Sequence, residues 1–280
     1  MDDGELGAPI AEGRTAEVFA WGDGHVLKLF RTDWGMDAAE HEATLAQVIY
    51  DAGAPSAQVF GAIEVAGRAG VVYERIVGPS LLGELRAHPL RLPFVAGTLA
   101  EVHAAMHART VEGLHSLRDV LANRIRNAVP LPADHRDAAL RALDALPDGN
   151  ALCHGDYHPD NVLLSARGPL VIDWENATIG DPLADVARTL LLLRASVVYE
   201  RSPSARLLTG AARPVLGALY LRRYRQLAPF DSWRLSGWEL PVTAARLSEG
   251  VTPEEAYLLA RVQALVEKTT PAVAPARRLE

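Results

Sequence analysis

Residues 152–164 read Leu152-Cys153-His154-Gly155-Asp156-Tyr157-His158-Pro159-Asp160-Asn161-Val162-Leu163-Leu164, and after Ser165 to Pro169 the chain continues Leu170-Val171-Ile172-Asp173-Trp174-Glu175. Two apolar runs, 162–164 and 170–172, flank Ser-Ala-Arg-Gly-Pro and predict a hairpin buried on both faces. Pairing Leu164 with Leu170 sets 163 against 171, 162 against 172, and Asn161 against Asp173. Opposed residues on antiparallel strands stand about 5 Å apart at Cβ. A neutral oxygen ligand and a carboxylate then share the mouth of the hairpin. That pair suits Mg²⁺, which takes a few hard oxygens and leaves room for phosphate. Asp156, at the base of the same loop, is placed to receive or orient the proton of an attacking hydroxyl. His154 reads as a residue that holds the loop backbone in shape.

Upstream, the first 80 residues read as strands plus one helix. Val18–Trp21 and Val26–Phe30 flank the hairpin signal Gly22-Asp23-Gly24. Asp37 to Asp51 is helical in pattern, stops at Gly53, and has Pro55 just beyond. Strands recur around Val59-Phe60 and Val71-Val72-Tyr73. From Leu81 onward helices are expected near 94–109, 116–128, 134–146, 181–199, 204–227 and 253–268. The last of these has Thr252 as N-cap, Pro253 at the first helical position and Glu255 closing a capping box. The order predicts an α+β chain: a small β-sheet lobe with one helix (1–77), a connection near Glu74–Gly78, and a larger, mainly helical lobe (78–280).

Composition narrows the possibilities. With 49% apolar and 22% charged residues the chain is an ordinary globular mixture. One cysteine, Cys153, excludes an internal disulfide framework and a Cys-rich zinc site. The start, Met1-Asp2-Asp3-Gly4-Glu5, is acidic where a secretory signal is basic. The most apolar stretch, Val186 to Tyr199, carries Arg188 and Arg194 and reads as a buried helix, so no membrane partner and a cytoplasmic setting are expected. Basic residues are scattered, which argues against a nucleic-acid stripe. Of the 28 basic residues only Lys28 and Lys268 are lysine. A lysine kept mid-strand in so arginine-rich a chain points to a need for its compact ammonium.

The pattern His154-Gly155-Asp156, four residues, Asn161, then Ile172-Asp173-Trp174 resembles the catalytic segment of the aminoglycoside phosphotransferase family. Gly180-Asp181-Pro182-Leu183-Ala184-Asp185 also resembles a stretch of that family, and the likeness runs from about Gly13 to Asp185. The resemblance implies a bilobal protein-kinase-like fold and a kinase that uses ATP and Mg²⁺ to phosphorylate a hydroxyl of a small molecule. It implies Asp156 as the catalytic aspartate, Asn161 and Asp173 as magnesium ligands, and an aspartate on the following helix that braces the catalytic loop. It also implies a strand lysine paired with a helix glutamate. Lys28 shares a strand face with Val26 and Phe30. Glu40 shares a helical stripe with Thr44, Gln47 and Asp51, all polar, whereas Glu42 shares one with Leu45 and Ile49. A carboxylate on the buried stripe needs a cation, so Glu42 is the expected partner. Backbone groups of Glu74 and Ile76 in the connection are expected to meet adenine. Gly13-Arg14-Thr15-Ala16-Glu17-Val18 holds one glycine where a protein kinase has a glycine-rich run, a departure in keeping with the family's reduced loops.

His103 and His107 read as packing residues, Cys153 as an unreactive buried thiol, and Glu175 is open between metal and substrate. Two rival readings stand beside the kinase: a nucleotide-binding pseudokinase acting as an interaction module, and a metal-dependent hydrolase built on His154-x-Asp156-x-His158-x-Asp160. A protein kinase is disfavoured because Asp173 and Asp181 lie too close for a polypeptide-docking activation segment. Acceptors in the resembling family include aminoglycosides, other antibiotics and simple metabolites. Residues 1–174 carry a net charge of −10 and residues 175–280 a net of +3, so a strongly polycationic acceptor is not expected.

Overall fold

Gly22-Asp23-Gly24 turns tightly enough for Trp21 to pair with His25, and the hairpin it closes forms the middle of an N-terminal sheet. The computed structural model describes residues 6–31, 33–195 and 203–269. Strands β1 (Ala11–Glu12), β2 (Ala16–Trp21), β3 (His25–Phe30), β4 (Val59–Val65) and β5 (Arg68–Glu74) form one antiparallel sheet in the order β1-β2-β3-β5-β4. Helix α1 (Met36–Asp51) lies between β3 and β4 in the chain and packs on β4 and β5. It ends in a Schellman motif, with Gly53 N donating to Tyr50 O (2.9 Å) and Ala54 N to Ile49 O (3.3 Å). Strand alternation splits β3 between two apolar clusters. Phe30 joins Ala39, Ala43, Ala46 and Val71 under α1, while Leu27 and Leu29 join Phe19 and Val72 on the opposite face. Lys28 therefore points to the α1 side, as its alternation with Phe30 predicts.

The second lobe is helical apart from two small two-stranded sheets. Its helices are α2 (Leu81–Ala87), α3 (Leu92–His107), α4 (Leu117–Asn127), α5 (Ala133–Asp144), α6 (Pro182–Ala195), α7 (Pro203–Leu227), α8 (Ser232–Arg246) and α9 (Thr252–Thr269). Helix α6 is buried along its whole length from Leu183 to Leu193, wedged against α7 and α8. Of the helix expected over 181–199, residues 196–199 lie outside the described residues. Helices α2 and α8 were not foreseen. The first is short and begins at Ser80, whose Oγ accepts from Gly83 N (3.0 Å). The second is interrupted in pattern by Ser236, Gly237 and Pro241, yet Leu235, Trp238, Leu240 and Val242 bury its face against α4, α5, α6 and α9. Helix α9 corrects the expected capping box. Thr252 is already helical, and the acid turned inward is Glu254, which grips Arg246 through both oxygens (2.8 and 3.1 Å).

Between α5 and α6 lie β6 (Ala151–Cys153), β7 (Val162–Ser165), β8 (Gly168–Val171) and β9 (Thr178–Gly180), with β6 paired to β9 and β7 to β8. The β7–β8 hairpin forms, but one residue out of the expected register. Leu163 pairs with Leu170, Val162 with Val171 and Ser165 with Gly168. The physical reason is a tighter turn: only Ala166 and Arg167 separate the strands, and Ser165 Oγ closes it by donating to Gly168 O (2.7 Å) and accepting from Arg167 N (3.1 Å). Asn161 thus stands against Ile172, whose N–H donates to Asn161 O (3.0 Å), and not against Asp173.

The passage between lobes is fitted closely to this hairpin. Leu164 N donates to Pro79 O (2.8 Å), and a Cβ on Gly78 would fall 1.7 Å from Leu164 O. Gly78 adopts φ +153°, so glycine is required there on both counts. Among the described residues no helix is long and apolar enough to cross a membrane.

Candidate active site

Lys28 stands among several acids where the lobes meet. Its Nζ donates to Glu42 Oε2 at 3.0 Å and to Asp173 Oδ1 at 2.9 Å, and Glu175 Oε2 lies 3.9 Å away. Glu42 is buried on the α1 face that carries Ala39, Ala46 and Ile49, and Tyr73 Oη donates to its other oxygen (2.7 Å). Glu40 is exposed. The Lys28 side chain is only 15% exposed. Burial works against its charge, but Asp173, Glu42 and Glu175 outweigh burial and raise the ammonium above its ordinary value. Asp173 and Glu175 remain 41% and 36% exposed. Burial and the repulsion of Asp173 and Glu42, working against the attraction of Lys28, push the Glu175 carboxyl up.

Asp173 reaches Lys28 because its backbone leaves the ladder. It adopts φ +67°, a left-handed conformation that aspartate tolerates better than most residues. Trp174, next in the chain, turns inward, and its Nε1 donates to Val171 O (3.1 Å). The local reversal separates an exposed carboxylate from a buried ring.

The loop from Cys153 to Asn161 is held by its own polar groups. His154 Nε2 donates to Ile172 O (3.0 Å) and its Nδ1 accepts from Asp156 N (3.2 Å), so one buried neutral ring ties the loop to the end of β8. Gly155 has φ +78°, and a Cβ there would lie 2.5 Å from Asn176 O. Asn161 Nδ2 donates to Asp156 O (3.0 Å), which leaves Oδ1 as its uncommitted side-chain oxygen. Tyr157 is buried, donates its hydroxyl to Leu99 O (2.8 Å), and its carbonyl accepts from Thr189 Oγ1 (2.9 Å). Asp156 Oδ1 accepts from Arg188 Nη2 (3.2 Å), and its Oδ2 lies 3.6 Å from His158 Nε2. Burial alone would raise the Asp156 carboxyl, but His158 and Arg188 hold it well below the usual carboxylate range. The loop therefore presents a firmly ionised carboxylate, an amide oxygen and two further acids around a lysine, an arrangement suited to polyphosphate and a divalent cation.

The family model described as phosphotransferase enzyme family matches residues 7–230. The chain belongs to that family. Searching the curated proteins finds no match. Among solved structures, a thermostable mutant of aminoglycoside phosphotransferase APH(4)-Ia is 20% identical, with 96% of each chain covered and a TM-score of 0.67. A choline/ethanolamine kinase family protein from Mesorhizobium loti is 20% identical over 96% of this chain and 89% of that one, at a TM-score of 0.58. The streptomycin–ATP–APH(2")-IIa ternary complex is 15% identical over 95% and 92%, also at 0.58. At these identities the structures share the fold, a bilobal kinase-like architecture.

Within this phosphotransferase, Asp185 on α6 is the brace that the family resemblance implied. It is buried, and its carboxylate accepts from His154 N (2.6 Å) and Gly155 N (2.9 Å). His103 and His107, expected only to pack, point their Nε2 atoms at the same carboxylate (3.1 and 3.4 Å). Their Nδ1 atoms accept from Tyr220 Oη (2.6 Å) and Tyr224 Oη (2.7 Å) of α7. Burial, and the neighbouring His107, lower His103 to about 3, so it stays neutral. Burial would raise the Asp185 carboxyl, and the two histidines outweigh it and hold it ionised. The i, i+4 spacing of the histidines was the available signal, but their partners sit 78 to 117 residues away.

The phosphotransferase also keeps three arginines beneath Asp156. Arg188 meets Glu249 (2.7 Å), Arg246 bonds both Glu249 and Glu254, and Arg124 donates to Asn176 Oδ1 (2.6 Å) with Glu249 3.7 Å away. On α7, Arg223 bonds Glu101 and Arg225 bonds Ser232. In the connection between lobes, Glu74 forms an ion pair with Arg167 of the β7–β8 turn, and Arg75 N donates to Gly24 O (2.8 Å). Ile76 is half-buried beside them.

Proposed function

We propose that the chain transfers the γ-phosphoryl group of ATP to a hydroxyl of a small molecule, with Mg²⁺ as the accompanying cation. The observation that carries this reading is the meeting of Lys28 and Glu42 from one lobe with Asp173 and Glu175 from the other, beside Asp156 and Asn161. Residues 1–77 would hold the nucleotide, with backbone groups of Glu74 and Ile76 toward adenine and Lys28 toward the phosphates. Residues 78–280 would carry the acceptor. The surplus of acid around one lysine fits a divalent cation held by Asp173 and Asn161 Oδ1, with Glu175 within reach of the same charge. When bound, that cation neutralises charge on the transferring phosphoryl group. Asp156 aligns the acceptor hydroxyl through Oδ2. A carboxylate held so far below its ordinary range acts by orientation and charge more than by retaining the proton. A cytoplasmic setting, where ATP is at hand, belongs to the same reading.

The metallohydrolase alternative loses His154 as a ligand, because both of its ring nitrogens are occupied by backbone groups. The acceptor is expected to be neutral or anionic, since Arg124, Arg188 and Arg246, with their partners Glu249 and Glu254, pack near Asp156. The test is ATP-dependent phosphorylation of a panel of hydroxyl compounds, including kanamycin-, gentamicin- and streptomycin-type substrates. Asp156→Asn should keep nucleotide binding and lower turnover by about 10²–10⁴-fold. Nucleotide binding without turnover of any acceptor would favour the pseudokinase. Efficient turnover of an aminoglycoside would overturn the charge assignment of the acceptor.

A further inference from the structure

Helix α6 meets the catalytic loop twice. Asp185 takes the N–H groups of His154 and Gly155, and Arg188, one turn later on the same face, takes the next two groups along. Arg188 Nε donates to Gly155 O (3.1 Å) and its Nη2 to Asp156 Oδ1 (3.2 Å), while the same Nη2 lies 2.7 Å from Glu249 Oε1. The guanidinium is buried beneath Asp156, so it cannot reach a phosphate from that position.

We infer that Arg188 is a positioning residue for phosphoryl transfer: by holding Oδ1 it fixes the plane of the Asp156 carboxylate and leaves Oδ2, which lies 3.6 Å from His158 Nε2, as the oxygen for the acceptor. This rests on the role proposed above for Asp156. An aspartate carboxylate turns about a broad two-fold torsion, and a single contact on one oxygen is enough to select its plane. Arginine suits the task because one rigid, flat fork serves a carbonyl and two carboxylates together, where a lysine ammonium on a flexible stem would satisfy them only in turn. The far side of the fork is fixed in turn. Glu249 sits on the short turn between α8 and α9, where Arg246 bonds its other oxygen and Glu254 secures Arg246. The C-terminal helices thereby touch the catalytic carboxylate through one side chain.

Three measurements test this. Arg188→Met should lower kcat by about 10²-fold, the scale of a small misplacement of a reacting group, while KM for ATP changes by less than about threefold. It should also lower Tm, because Glu249 loses a cation. Adding Glu249→Gln in the double variant should restore Tm and leave kcat low, an outcome that a purely structural role does not produce. Near-normal kcat in Arg188→Met, or kcat recovering together with Tm in the double variant, overturns the inference. Should the wild-type protein phosphorylate nothing in the panel, the functional reading fails on its own. A crystal structure of Arg188→Met then decides the contact: more than one Asp156 orientation supports it, and a single unchanged orientation overturns it.

Discussion

Glu42 and Glu40 are two residues apart and should behave as opposites. Glu42→Gln removes the charge that, with Tyr73, holds the Lys28 ammonium. It should lower kcat/KM by about 10- to 100-fold, the equivalent of roughly 1.5–3 kcal/mol in a charge-assisted hydrogen bond. Glu40→Gln should be nearly silent, as exposed substitutions usually are. Steady-state kinetics of the two variants checks this, and the reverse ranking would mean that α1 presents its other face. Lys28, Glu42, Asp156 and Asp173 were legible because each sits in a local pattern: strand alternation, a helical stripe, a spaced motif. Arg188 was not. The run around it reads as a buried helix, but its partners lie 32 residues upstream and on the turn after α8, where no local pattern points to them.

At the level of elements, the loop from Cys153 to Asn161 hangs from α6, with α3 and α7 behind it through two histidine–tyrosine pairs. This predicts a pH dependence. His103 is neutral in the fold, with a value of about 3 against an ordinary 6.5, so the unfolded chain takes up a proton that the folded one refuses. Stability should therefore fall as pH drops from about 6.5, by at most ~1.4 kcal/mol per pH unit from this group. Asp185, with its carboxyl depressed, adds stability that is present above the ordinary carboxylate range and lost below it. Thermal unfolding between pH 8 and 4.5 should show the slope, and His103→Gln should flatten it; an equal slope in both proteins would remove His103 as its source. The elements themselves were mostly readable, since long amphipathic helices announce their period. The failures are instructive. Helix α8 escaped because glycine and proline sit inside a segment whose helicity comes from burial. The β7–β8 register slipped because five turn-forming residues were counted as loop when Ser165 and Gly168 belong to the ladder.

For the molecule as a whole, the bond from Lys28 to Asp173 joins residues 145 apart in sequence and on different lobes. A nucleotide phosphate placed beside Lys28 must compete with Asp173 for the ammonium. A cation that draws Asp173 away frees the lysine for phosphate. Under the proposed function each ligand would be an effector of the other, and thermodynamic reciprocity would require that magnesium tighten nucleotide binding by the same factor as nucleotide tightens magnesium binding. A coupling of about 5- to 150-fold is the usual range for such linkage. Titrations of ATP at several magnesium concentrations, corrected for the chelate formed in solution, should find it in the wild-type protein. Asp173→Ala should reduce the coupling while strengthening metal-free nucleotide binding, because the lysine has lost its competitor. Unchanged coupling in that variant would show that the two ligands meet elsewhere. A single ion pair across the cleft would then make the phosphoryl donor and its metal arrive, in effect, as one ligand.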